Sequence, residues 1–119
     1  MTITRVHVGP RMSQAVVYGG LVHLAGQVAS NAPGGSVADQ TRDILARIDT
    51  LLGEAGSDKS RVLSATVWLT DIGTFGEMNS VWDAWVATGS TPARACVEAR
   101  LANPQFTVEI AVVAAAGGS

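Results

Sequence analysis

The sequence predicts an α+β domain of element order βββαβαββ: a six-stranded, mostly antiparallel sheet with two helices on one face. Three observations carry the prediction. Residues 3–8, near the start of the chain, alternate apolar and polar residues with a period of two. From Val37 the apolar residues recur at helical spacing instead. The pattern then returns to β-rich composition at 61–70 and to a helical stripe at about 74–88.

Taken in order, residues 3–8 alternate as a half-buried strand does. Residues 14–18 and 21–26 form two more strands around Gly19-Gly20, a pair suited to a two-residue hairpin turn because glycine reaches positive φ freely. Asn31 to Ser36, with Pro33, Gly34 and Gly35, is a loop. Val37, Thr41, Ile44, Leu45, Ile48, Leu51, Leu52 and Ala55 then form one stripe, with Ser36 able to cap the helix start and Gly56 able to end it. In the second helix Phe75, Met78, Val81, Trp82, Trp85 and Val86 are its buried side. Thr74 or Asp71 is its expected cap and Gly89 its close. Two strands, about 93–101 and 106–115, finish the chain as a hairpin joined around Asn103-Pro104-Gln105. The Gly117-Gly118-Ser119 tail is expected to be loose.

Composition excludes several classes. A chain of 119 residues suits one domain, and 47% apolar residues suffice for its core. Eight Lys and Arg, thinly spread in a chain of net charge −2, leave no electrostatic footprint for nucleic acid. No apolar run reaches the ~18 residues of a membrane span, and Met1 to Arg5 lacks the apolar block of a signal peptide. A cytoplasmic protein is expected. A single cysteine, Cys96, excludes an intrachain disulfide, and His7 and His23 show no metal-ligand spacing.

The last strand has two apolar faces. Val108, Ile110, Val112 and Ala114 share one; Thr107, Glu109, Ala111, Val113 and Ala115 share the other. Two helices can cover only one side of such a sheet, and an antiparallel sheet with a wet face normally makes that face polar. The second face is therefore expected to be buried against other subunits in a closed symmetric ring.

Two residues on these strands could do chemistry. Arg94 lies in Pro92-Ala-Arg-Ala-Cys-Val-Glu98, flanked by alanines and sharing a strand face with Cys96, Glu98 and Arg100. Its planar fork suits a substrate carboxylate; a structural salt bridge is the other reading. Glu109, inside Val108-Glu-Ile-Ala-Val112, is a candidate general base or acid, or half of a buried pair with an arginine. Cys96 has no neighbouring histidine and is expected to line a site rather than attack. Gly26 in Leu24-Ala-Gly-Gln27 permits close backbone approach to a ligand, or marks a bulge. Trp68, Trp82 and Trp85 are most simply core, and Asn79 stays polar on the second helix. In a final hairpin Glu109 would face Glu98 or Arg100, leaving Arg94 roughly 13–20 Å further along the strand. If both serve one substrate, they should come from different subunits.

The ordered set Leu24-Ala-Gly-Gln27, Gln40-Thr41, Ile48-Asp-x-Leu-Leu52, Met78-Asn-x-x-Trp82, Pro92-x-Arg-x-Cys-Val-Glu98 and Val108-Glu-Ile110 resembles the reactive-intermediate (imine/enamine) deaminase family, formerly the L-PSP endoribonuclease family, across nearly the whole chain. The resemblance implies a chorismate-mutase-like fold, a homotrimer, and active sites in the clefts between subunits. It implies that Arg94 holds the carboxylate of a 2-imino acid and Glu109 positions or activates water. Gly26 would offer a backbone contact, and Asn79 and Cys96 would line the pocket. The implied reaction releases a keto acid and ammonia without metal or cofactor. Two positions depart from the pattern: Met12 stands near the place of a pocket aromatic, and Ala25 stands where a serine is common. They mark a side branch and bear on the substrate more than on the reaction type.

Besides an enzyme, a trimer that senses small carboxylates through Arg94 and regulates a partner fits the chain. Glu109 favours the enzyme, because a pure carboxylate binder gains nothing from a second, negative charge. A ribonuclease is the weakest reading, since no basic groove is expected.

Overall fold

The structure, a computed structural model, describes residues 1–117. Seven strands and two α-helices follow in the order β1 (Thr4–Val8), β2 (Ser13–Tyr18), β3 (Leu21–Leu24), β4 (Gln27–Val28), α1 (Val37–Glu54), β5 (Val62–Leu69), α2 (Phe75–Trp85), β6 (Ala93–Glu98) and β7 (Val108–Ala115). This is the expected α+β class with both helices on one face and a mostly antiparallel sheet, with one parallel pairing, β5–β6, and a seventh, two-residue strand, β4.

The first helix forms as its stripe predicts. Ser36 caps it, its hydroxyl accepting from Asp39 N at 3.0 Å, a contact worth about 1 kcal/mol. Ile44, Ile48 and Leu52 are fully buried against the sheet, each contributing roughly 1.5–3 kcal/mol. Past the C-cap Ala55, Gly56 takes φ 81°, the left-handed turn that glycine adopts without strain. The second helix is shorter than expected. Asp71 caps a 3-10 turn over Ile72–Thr74 rather than α2 itself, and Thr74 makes no side-chain cap. Helix α2 ends at Trp85 because Val86 is extended, so Gly89, at φ 83°, shapes the loop beyond. Of the expected tail, Gly117 N donates to Gly56 O, while Gly118 and Ser119 lie outside the described residues.

The strand order is β1-β2-β3-β7-β5-β6, with β4 continuing β3 along β7. The expected hairpin between the last two strands does not form. β6 pairs with β5 in parallel, Arg94 beside Ala65 and Cys96 beside Val67. β7 pairs with β5 from the opposite side, antiparallel, placing Glu109 beside Trp68 rather than Glu98 or Arg100. The physical reason lies in α2. A strand, a crossover helix and a second strand form a parallel unit, so α2 delivers β6 to the outer edge of β5. The long segment between Glu98 and Val108 then carries the chain across to the inner edge, where β7 gains neighbours on both sides.

The two faces of β7 are as expected. Val108, Ile110, Val112 and Ala114 are buried beneath the helices in one core with Ala65, Val67, Leu69 and Met78. The other face carries, by register, Leu21 beside Ala115, His23 and Ser64 beside Val113, Thr66 beside Ala111, and Val28 and Trp68 beside Glu109. No helix covers it. Val97 and Tyr18 on this side are 46% and 47% exposed, large side chains left facing outward beside Ser64, Thr66 and Glu109.

Candidate functional site

The five residues singled out in the sequence fall into two clusters on opposite faces of the sheet. Arg94, Cys96 and Asn79 lie on the helix side at the β6 edge. Gly26 and Glu109 lie on the uncovered side, in mid-sheet.

The arginine cluster follows from α2 and β6. Arg94 shares the row of Ala65, whose side chain is in the core, so its own side chain turns toward α2. There its Nη1 donates to Asn79 Oδ1 at 2.8 Å. The guanidinium carbon stands 5.0 Å from the Trp82 ring centre and 5.7 Å from that of Phe75. Ion pairs among the described residues are His7–Glu54, Arg42–Asp39 and Arg47–Asp43. Arg94 thus has no carboxylate partner, and the structural salt bridge is absent. Cys96 sits two residues on, on the same side. Burial raises its thiol pKa above the ordinary value, and the nearby Arg94 charge only partly opposes this. The thiol stays protonated at neutral pH, which suits a lining residue and not a nucleophile.

The carboxylate cluster follows from a bulge. Between His23 beside Val113 and Gln27 beside Ile110, the β3–β4 side advances four residues while β7 advances three. Ala25 and Gly26 are the irregular pair, set between two buried residues, Leu24 and Gln27. A polar clamp holds the bend: Ala25 N donates to Gln14 O at 2.9 Å, and the Gln27 amide donates to Gln14 Oε1 at 2.8 Å and to Ala25 O at 3.0 Å. A Cβ at 26 would land on the Glu109 carboxylate as it stands, so glycine there lets the carboxylate lie against the backbone. Backbone and carboxylate therefore meet at one point, with Val28 and Trp68 flanking Glu109 across the strands. The alternative of a buried Glu109–arginine pair is also absent.

Within one chain Arg94 and Glu109 thus lie on opposite faces of the sheet. The separation estimated along a hairpin is replaced by a stronger one, the thickness of the sheet itself. A cleft of about 470 Å³ between the β1–β2 hairpin and α1 contains none of the five residues. Its charged groups are already paired, His7 with Glu54 and Arg47 with Asp43. Among the described residues no group of three or more His, Cys, Asp and Glu is placed to hold a metal ion, and no helix is long and apolar enough to cross a membrane.

Sequence reasoning missed the seat of Arg94. The sequence places Phe75 and Trp82 in the core, yet Phe75 is 41% exposed and its ring lies beside the guanidinium. The signal was present: Phe75, Asn79 and Trp82 stand four and three residues apart, one face of a helix with a carboxamide set between aromatics. The Gln14–Gln27 clamp was also missed, and nothing in the spacing of the two glutamines announces it.

The fold and the two clusters define a small α+β domain that presents an unpaired arginine on one face of its sheet and an unpaired glutamate, pressed against a glycine, on the other. The family model described as Endoribonuclease L-PSP matches residues 2–116. The chain is 44% identical over 113 residues to a RutC family protein of Haemophilus ducreyi, covering 95% of this chain and 96% of that one. It is 42% identical over 115 residues to the RutC family protein YoaB of Escherichia coli, covering 97% and 99%. A crystal structure of a YjgF family member from Neisseria meningitidis superposes with a TM-score of 0.96 at 51% identity, over 100% of this chain and 98% of that one. The chain belongs to the L-PSP/RutC family.

Proposed function

We propose that this protein is a cofactor-free hydrolase that deaminates reactive 2-imino acids and their enamine tautomers, at sites formed between the subunits of a homotrimer. The observation that carries the reading is the pair of uncompensated, opposite charges on opposite faces of one sheet. A charge without a counter-charge in its own chain remains open to one from a ligand or another chain. The uncovered apolar face gives the reason for assembly, and a symmetric ring brings the Glu109 face of one subunit toward the Arg94 edge of the next.

The chemistry follows from the groups. Arg94 takes the substrate carboxylate through its free N–H groups, fixing the imine carbon. Glu109 accepts a proton from water as the oxygen adds to that carbon, then returns it to the nitrogen. Glu109 next takes the proton of the new hydroxyl as the carbonyl forms, the C–N bond breaks, and that second proton goes to the departing nitrogen, giving a 2-oxo acid and ammonia. One water is consumed and no electrons are transferred. The backbone at Gly26 sits where it can contact substrate or water beside the carboxylate. Asn79 acts on Arg94 rather than on substrate, and Cys96 lines the arginine side.

Ala25, next to Gly26, offers no hydroxyl beside the glutamate, and Met12, 52% exposed, offers no aromatic ring. The name of the matching family model raises the ribonuclease reading, but a chain with eight Lys and Arg against ten Asp and Glu, and no basic run, offers little hold on a phosphate backbone.

The test is to mix the protein with an amino-acid oxidase generating imines and to follow keto-acid release, with sedimentation run on the same sample. The expected result is release faster than spontaneous hydrolysis, from a trimer. No acceleration with any imine, or a monomer at micromolar concentration, would remove the reading.

A further inference from the structure

We infer that Trp82 and Phe75 are positioning residues: an aromatic cradle that holds the Arg94 guanidinium without a counter-ion and so sets the affinity for the substrate carboxylate. The inference rests on the proposed reading of Arg94 as the carboxylate-binding group, and concerns what makes that group available.

A half-buried guanidinium needs something to offset its lost hydration. A carboxylate would do so, but it would also neutralise the charge and occupy the fork. Here the work is divided among uncharged groups. Asn79 Oδ1 accepts one N–H at 2.8 Å, and Met78 S stands 4.0 Å from the same nitrogen. The ring centres of Trp82 and Phe75 lie 5.0 and 5.7 Å from the guanidinium carbon, inside the ~6 Å over which an aromatic face attracts a cation. Aromatic quadrupoles stabilise the charge without cancelling it. The edge of the fork not held by Asn79 keeps its donors for a ligand.

The cradle is itself braced. Trp85 packs on Trp82 with ring centres 5.3 Å apart. Its indole N–H reaches both Asp49 oxygens at 3.0 and 3.1 Å. A continuous chain thus runs from Asp49 on α1 through Trp85 and Trp82 to Arg94. The brace fixes the position of Trp82, and the exposed ring of Phe75 has its explanation in the cation beside it.

The test is the dissociation constant of a 2-oxo acid, 2-oxobutyrate, measured by calorimetry on the assembled protein, beside KM and kcat for the corresponding imine. Trp82→Leu should raise both Kd and KM about tenfold, and Phe75→Leu about threefold, with kcat nearly unchanged, the scale of losing one cation–π contact. Trp82→Phe, which keeps a π face, should restore binding to within about twofold of wild type. A merely structural role would lower kcat through the active fraction and leave Kd alone. If Trp82→Leu fails to assemble, Phe75→Leu at the exposed ring carries the test alone. Unchanged Kd in the assembled leucine variants would overturn the cradle while leaving Arg94 as the anchor. A wild-type protein that binds no 2-oxo acid would overturn the reading of Arg94, and the cradle with it.

Discussion

Arg94→Lys should lower imine hydrolysis at least ~10²-fold while the fold and the assembly survive, the scale of a charge-assisted contact worth ~2–3 kcal/mol. Lysine keeps the charge and still reaches over the rings of Trp82 and Phe75, which stand 5.0 and 5.7 Å from the guanidinium carbon. It cannot donate to Asn79 and grip both oxygens of a carboxylate in one plane. No carboxylate among the described residues depends on Arg94, so folding loses only the Asn79 contact at 2.8 Å, about 1 kcal/mol. Initial rates of keto-acid formation at saturating and limiting imine would check it. Wild-type kcat/KM in a folded lysine variant would mean that Arg94 is a structural residue.

Glu109→Gln should do the opposite to binding and chemistry. The two side chains have nearly the same shape, so glutamine fits against Gly26 where a Cβ on residue 26 would not. It removes the negative charge that would repel a substrate carboxylate, and 2-oxo acid binding should hold or tighten. An amide cannot accept the proton from water, so kcat should fall by ~10²–10⁴-fold, the usual contribution of a general base. Thermal stability should change little, because the Glu109 carboxylate has no ion-pair partner among the described residues. A kcat within a few-fold of wild type would remove Glu109 from the mechanism.

Much of this was legible in the sequence because it rests on short-range periodicity. The stripe of α1, the apolar run of β7 and the Gly19-Gly20 turn each reflect a local pattern, and their elements form where that pattern is strong. Pairing was not legible, because it depends on elements far apart in the chain. Asn103-Pro104-Gln105 has turn chemistry, and a turn between two strands suggests a hairpin. What decides the pairing is α2, which must lie on the sheet and so commits β6 to the outer edge of β5. The site residues were legible through the family pattern they share, and their division between two faces only through that pairing. Phe75 and Trp82 show a further limit. Aromatic residues at helical spacing look alike in sequence whether they meet aliphatic neighbours or a cation.

The central claim is that one substrate is served by Arg94 of one subunit and Glu109 of another. Mixing inactive Arg94→Ala protein with inactive Glu109→Ala protein, under conditions that exchange subunits, tests it directly. In a randomly reassembled ring about one cleft in four receives both intact residues, so about a quarter of the wild-type rate should return. No recovery, with subunit exchange demonstrated by mass labelling of the two variants, would contradict the account.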